Sequence, residues 1–589
     1  MTDPYVVDWI KQTDLMNTSG NDNAPSIVSD SDGSVYVAYT TNGTVSGGEI
    51  SENTGTNIVV MKMTNTGVVD WIKQDNSFNS IVDEGPPSIT VDSDNNIYVT
   101  YRTQGVVPYG ETLGVASDIV VMKMHKNDGS IEWVKQDSSF NTTAGEYSTK
   151  IVADSTGVYV SYVTRGITTG LGNILSGGTY DIAVMKMNTD GTVVWIKQNG
   201  NFNTSGSDTY PSIAVDSTGV YVTYMTTGKV SGEGNTFSGV YDIVVFKLNK
   251  DDGSFAWAKQ TPSFNTLKYD SYPSIAADEN NYIYVVYSTA GSVLDDGNTK
   301  TSIGFDIVVM KMNTDGTVVW IKQNGNFNTT DNLSTTPSIA VNSTGVYVAY
   351  NPTGSVPGYG NTNSGGTDIV VFKLNKDGSF GWAKQTSSFN TSGDEGPPSI
   401  YANSDGSIYV TYSTTGIVLG GEISESTGTN IVVMKLKNPP TICLLEGTLV
   451  RTPTGSVPIE LVKKDDYVLN QDYKPVRVVL TSKTTFQYKT DPTTKFDMDN
   501  VLYTIPAGTL GATSNVYLTK HHRFMTSDGT MKKPEEYGLK RSELSEVCKT
   551  SDLYTVYHLR LEDEYNNHFI VNGDCIVEDW WDWPRPNVV

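Results

Sequence analysis

Val7-Asp8-Trp9-Ile10-Lys11-Gln12 is the stretch that decides the fold, because its Trp-x-Lys-Gln core returns six more times along the chain. The tryptophans are Trp9, Trp71, Trp133, Trp195, Trp257, Trp320 and Trp382, spaced by 62 residues except for one gap of 63. A fixed period of this length makes the first two thirds of the 589 residues an array of near-identical units.

Residues 188–249 show the unit most clearly. After Asn188-Thr189-Asp190-Gly191 and the Trp195 segment come Pro211-Ser212-Ile213-Ala214-Val215-Asp216, Val220-Tyr221-Val222-Thr223-Tyr224 and Asp242-Ile243-Val244-Val245-Phe246-Lys247-Leu248. Four short runs rich in Val, Ile, Tyr and Thr read as strands. The Ser-Thr-Gly, Ser-Asp-Gly and Thr-Asp-Gly joints between them supply a residue that accepts positive φ in a tight antiparallel turn. Nothing in the array has helical periodicity, so the pattern predicts an all-β, seven-bladed β-propeller over residues 1–437. The chain enters on a Trp strand, and the last unit, ending at Ile431-Val432-Val433-Met434-Lys435-Leu436, has none after it. The strand around Trp9 should therefore close the last blade and remove an exposed edge. The recurring Trp is expected to pack between blades, and the Lys-Gln after it to form a solvated outer edge. Long connections rich in Gly, Asn, Ser and Thr, such as 226–241 and 353–367, should project from one face.

The array resembles the SBBP-type β-propeller repeat of bacterial and viral surface proteins. The likeness rests on Asp-Ile-Val-Val-x-Lys-x-Asn-x-Asp-Gly-x-x-x-Trp followed by Pro-Ser-Ile-Ala-Val-Asp-Ser-Thr-Gly-Val-Tyr-Val-Thr-Tyr. One unit departs: the third has Ser148-Thr149-Lys150-Ile151 where Pro-Ser-Ile is expected. The resemblance implies a scaffold and names no ligand.

Two further patterns have plain readings. Asp30-Ser31-Asp32-Gly33 and Asp92-Ser93-Asp94-Asn95 look like the start of a calcium loop, but the closing Glu is missing, so they read as β-turns and no metal or cofactor is expected. Asn141, Asn203, Asn328 and Asn390 head glycosylation sequons at equivalent places, which read as turn consensus. Units one and seven share a near-identical segment, at 48–62 and 421–435, which points to copying within the chain.

Composition sets limits on function. Lys plus Arg total 41 against 65 Asp plus Glu, a net charge of -24, and residues 1–437 carry about -20 of it. This argues against nucleic acid and anionic membranes as partners. No apolar run approaches the roughly 18 residues of a membrane-spanning helix. Residues 1–12 leave no room for a signal peptide, which gives an expectation of cytoplasmic synthesis, with association to a virion or surface in keeping with the Asn- and Thr-rich array. Protein partners or self-assembly through the propeller faces fit this composition, and the polar loops also admit glycan binding.

All three cysteines (Cys443, Cys548, Cys575) and four of five histidines lie after the array. Chemistry is therefore expected there. Asn438-Pro439-Pro440 ends the repeat, and 438–589 reads as a second all-β domain closed by an aromatic tail with Trp580, Trp581 and Trp583. No Cys-x-x-Cys spacing accompanies its thiols, so zinc is not expected.

This domain opens with Cys443-Leu444-Leu445-Glu446-Gly447-Thr448 and continues through Val457-Pro458-Ile459-Glu460-Leu461 to Asp466-Tyr467-Val468-Leu469. Thr519-Lys520-His521-His522, Val556-Tyr557-His558-Leu559 and His568-Phe569-Ile570-Val571-Asn572-Gly573 follow in order. Together these blocks resemble the Hedgehog/intein (Hint) superfamily. The resemblance implies that Cys443 attacks the carbonyl of Ile442 to give a thioester. It implies that Thr519 and His522 hold the scissile amide, with His522 protonating the leaving nitrogen, and that His558 assists from a place where many relatives carry Asp. His521 is the alternative to His522, and Cys443 has an alternative reading as a buried small hydrophobe in an inactive domain. Two departures matter. Val577-Glu578-Asp579-Trp580 replaces the terminal His-Asn that splicing requires, so cleavage or acyl transfer is the most that is implied. Asp465 stands where the family has Gly. The expected functions are a structural or surface-assembly protein with an appended autoprocessing domain, a self-cleaving cysteine autoprotease, or a carbohydrate-binding propeller.

Overall fold

The structure is a computed structural model that describes residues 5–437, apart from 51–54, 109, 111–115, 171, 294–297, 299–303, 331–334, 359–360 and 424–427. Beyond these it describes 444–445, 447–463, 465–469, 473–487, 502–507, 510, 512, 515–519, 524–525, 531–532, 553–561, 568–571 and 575–578. The chain divides into two compact units, Met1–Asn438 and Pro439–Val589.

The first unit is seven four-stranded antiparallel sheets, the blades of a propeller. The fourth blade shows how the sequence builds one. Its innermost strand is Asp208–Val215, its second Val220–Thr226, its third Asp242–Leu248, and its outermost, bearing the Trp, Phe255–Lys259. Both faces of the two middle strands lie against neighbouring blades, so Val220–Thr226 is buried at every position and reads as a continuous apolar and Thr run. The outermost strand is half exposed. The innermost strands ring an axial cavity of about 510 Å³.

The ring closes between the two ends of the array. Val6–Lys11 pairs antiparallel with Asn430–Lys437, with Trp9 opposite Lys435 and Ile10 opposite Met434. Each Trp reaches into the next blade. Trp9 Nε1 donates to the carbonyl of Asn65, Trp71 to Lys126, Trp195 to Lys250 and Trp320 to Lys376, at 2.9 to 3.2 Å. These carbonyls belong to the turn between the next blade's third and fourth strands. The turn glycine lies under the indole: Gly253, at φ +66°, has so little room that a Cβ there would fall 2.7 Å from Trp195. In the seventh blade the third and fourth strands come from opposite ends of the array, so no such turn joins them. There Trp382 meets Tyr5 instead, ring centroids 4.9 Å apart, and the Tyr5 hydroxyl donates to the carbonyl of Gly406.

The Lys-Gln edge requires correction. The seven glutamines are at most 1% exposed. Gln260 accepts from the Val230 amide at 2.8 Å and donates to the Gly228 carbonyl at 2.9 Å and to Asp242 at 3.0 Å. Gln12 does the same across the closure, with Val418 and Gly416. The outermost strand thus ends by turning its amide inward to pin the connection between the second and third strands. A buried, unpaired loop backbone would be costly, and the Gln amide satisfies one donor and one acceptor at once.

The sequon asparagines are also clasps. Asn141 and Asn203 are buried, and each bonds both the amide and the carbonyl of the first Ile of a third strand, Ile119 and Ile182. Asp30 is occupied as a turn carboxylate, accepting the amides of Asp32 and Ser34 and the Tyr36 hydroxyl. No group of three or more metal-ligating side chains is present among the described residues.

Among the described residues, the second unit has two six-stranded sheets. In the first, the spatial order is Tyr467–Leu469, Pro475–Gln487, Leu553–Leu561, Leu444–Leu445, Val516–Thr519, Leu502–Ile505. In the second it is Gly455–Pro458, Leu449–Thr452, His568–Val571, Cys575–Glu578, Phe524–Met525, Met531–Lys532. Leu444, Val468, Val478, Ile505 and Val516 of one sheet share a core with Val450 and Val571 of the other. Among the described residues the only helical element is the single 3-10 turn Ile459–Leu461. No described helix is long and apolar enough to cross a membrane.

Candidate active site

The site is organised by the two-residue strand Leu444–Leu445, which lies at the middle of the first sheet of the C-terminal unit. Leu444 is 1% exposed, so the hydrophobic core anchors the chain at this point. It pairs with Leu518 on one side and with Tyr557 on the other, and Leu445 pairs with Val556. Leu518 precedes Thr519, the last residue of its strand, and Tyr557 precedes His558. The strand that ends in Thr519 and the strand that carries His558 therefore flank Leu444–Leu445 on its two sides.

Thr519 pairs with Leu502, and His558 with Ser482, so both backbones are held in the sheet on their outer sides as well. Ile442, Cys443, His521 and His522 lie outside the described residues, as do Cys548 and the tail tryptophans. Cys575 begins the strand Cys575–Glu578, opposite Val571 in the other sheet.

The Asp465 departure has a local explanation. Asp465 has φ +74°, a left-handed conformation that glycine adopts without penalty and Asp tolerates better than most residues. Its amide donates to the Val478 carbonyl at 2.7 Å, and its carboxylate meets Arg477 at 3.0 Å. Asp466 caps the same turn by accepting the Lys463 amide at 2.8 Å.

A family model described as the Hint domain matches residues 442–539. No curated protein matches the chain. Among solved structures, the MchDnaB-1 intein (N145AA) is similar at 15% identity over 23% of this chain and 98% of that one, with a TM-score of 0.17. A protein of unknown function from Dyadobacter fermentans is similar at 10% identity over 74% of this chain and all of that one, with a TM-score of 0.37. The GH93 alpha-L-arabinofuranosidase of Fusarium graminearum, solved with arabinobiose, is similar at 13% identity over 60% of this chain and 92% of that one, with a TM-score of 0.36. The chain is thus a nearly all-β protein of two parts. It consists of a seven-bladed β-propeller followed by a Hint domain.

Two further residues, both in the propeller, carry charge without a motif around them in the sequence. Lys150 and Arg102 line the axial cavity of the propeller. The signal for Lys150 was present, as the one unit without Pro-Ser-Ile. Its meaning needed the structure, which shows that the seven equivalent positions face one cavity.

Proposed function

We propose that the Hint domain processes its own chain at Ile442–Cys443 and releases the propeller, which acts as a structural or surface-assembly disc for protein partners or further copies of itself. The observation that supports this reading is the pairing of Leu444 with Leu518 and Tyr557, which sets the short strand after Cys443 between the strands that bear Thr519 and His558. The Cys443 thiolate adds to the carbonyl carbon of Ile442, the C–N bond breaks, and the departing nitrogen takes a proton from His522. Thr519 holds the scissile amide, and His558 assists from the neighbouring strand. Water or another nucleophile then adds to the thioester, freeing residues 1–442 as an acid or adduct and restoring the thiol. Splicing is not proposed, because Val577-Glu578-Asp579-Trp580 offers no Asn to cyclise.

The test is intact mass of the purified chain after incubation with a thiol or hydroxylamine, beside Cys443→Ala. A fragment ending at Ile442, absent from the variant, is expected. Identical full-length masses in both proteins would overturn the proposal and leave an inactive domain appended to a scaffold.

A further inference from the structure

The seven blades are near copies, so a residue unlike its six counterparts at a shared position marks something the repeat alone does not require. Two such residues lie in adjacent blades and face the same cavity. In the innermost strands, Ser26, Ser88, Ser212, Ser274, Ser338 and Ser399 hold one position, and in the third blade Lys150 stands there. In the second blade, Arg102 occupies a place where the others have Thr40, Val163, Met225, Ser288, Asn351 and Ser413.

Neither substitution is explained by packing. The serines stitch blades together: Ser88 Oγ accepts the Ile151 amide at 3.3 Å, and Ser212 Oγ accepts that of Ile275 at 3.2 Å. A lysine ammonium has no acceptor, so Lys150 cannot make this bond to the fourth blade. Arg102 is held over the Tyr147 ring, 5.9 Å from its centroid, and its buried Nε has no hydrogen-bond partner among the described residues.

The cavity of about 510 Å³ is lined by these two cations and by Ser, Thr, Pro, Ala and Tyr, with no Asp or Glu among the described lining residues. That is unusual in a chain with 65 acidic residues. Lys150 is exposed to the cavity, and desolvation by the blades around it pushes its ammonium below the ordinary lysine range. Tyr210 and Tyr272, which line the same cavity from the fourth and fifth blades, meet edge to face at 4.9 Å and add an aromatic surface. Two cations facing one cavity, with no carboxylate among its described lining residues, suit a negative ligand.

We propose that the axial cavity of the propeller binds a small oxyanion, a carboxylate- or sulfate-bearing molecule held by Lys150 and Arg102 against the tyrosine wall. This site is independent of the processing reaction. The test is isothermal titration of the full chain at fixed low ionic strength with sodium glucuronate and sodium sulfate, and with glucose as a neutral control. Lys150→Ser and Arg102→Thr are the variants, since each restores a residue that other blades carry and should keep the fold. Saturable binding of either anion is expected, weakened at least tenfold in both variants and absent for glucose. Glucuronate binding without sulfate binding would assign a carboxylate on an organic body, and the reverse a compact sulfate. The proposal is overturned if neither anion saturates, if both variants bind like the parent, or if glucose binds equally. Cys443→Ala should bind as the parent does, which separates this outcome from failure of the processing reaction.

Discussion

Each Trp strand is followed at once by a glutamine whose amide stands in for two backbone hydrogen bonds. Gln260 satisfies the Val230 amide, the Gly228 carbonyl and one oxygen of Asp242, all buried. Truncating it leaves these groups in the core without water, at about 1–3 kcal/mol for a lost buried partner. Gln260→Ala should therefore destabilise the propeller by roughly 2–3 kcal/mol, read as a lower urea midpoint with unchanged slope. A change below about 0.5 kcal/mol, ordinary for a surface site, would show that the clasp is dispensable. The recurrence of this glutamine was plain in the sequence, but its role was not. A polar residue at the end of a half-exposed strand looks like a solvated edge, and only the loop folding back over it reveals an enclosed amide. The buried sequon asparagines were misread less severely, since they do sit in turns, yet the strand amides they bind lie 21 or 22 residues away. Local pattern identifies such residues as turn formers and is silent on distant partners.

At the scale of elements, the first strand matters most. Val6–Lys11 is the outermost strand of the seventh blade and carries Trp9 into the first blade, while Tyr5 covers Trp382 of the sixth. Deleting residues 1–12 strips the edge of Asn430–Lys437 and removes Gln12, which pins the loop at Val418. The shortened protein should melt well below the parent and elute in part as oligomers, because a bare strand edge templates pairing with other chains. Parent-like melting and a monomeric profile would mean that the ring does not depend on this closure. The closure was legible from phase alone: seven Trp strands, one at the start and none at the end. The C-terminal domain was less so. Motif order located the strands of Thr519 and His558, but their placement on either side of Leu444 is a matter of register between segments more than seventy residues apart in sequence, which periodicity cannot supply. Asp465 shows the opposite case, where a residue standing in place of an expected glycine still takes a left-handed backbone.

Across the whole propeller, the blades repeat a buried acid at the entry to the innermost strand. Glu84, Glu146, Asp208, Asp270 and Glu395 each accept hydrogen bonds from nearby Ser or Thr groups, as Asp208 does from the Thr204 amide and the Thr204 and Thr226 hydroxyls. Burial outweighs these bonds and raises all five to about 7. In the unfolded chain the same groups titrate near 4. Between about pH 4 and 7 the folded state therefore holds more protons than the unfolded state, and stability falls as pH rises through that window. Asp154 and Asp278, paired with Lys250 and Lys376, are shifted the other way, so the stability they add is lost only as pH falls below the ordinary carboxylate range. The melting temperature should consequently be higher at pH 5 than at pH 8, by at least a few degrees, since about 1 kcal/mol moves a domain of a few hundred residues by roughly 2–4 °C. Relief of general repulsion in a chain of net charge -24 acts in the same direction, so a variant must separate the two. Asp208→Asn removes one proton-binding group while keeping an acceptor oxygen for the Thr204 amide, its NH2 donating to the Thr204 and Thr226 hydroxyl oxygens as a protonated carboxyl would. It should raise the melting temperature at pH 8, leave it nearly unchanged at pH 5, and flatten the slope between them. An equal shift at both pH values would assign the effect to net charge and not to the ring of buried acids.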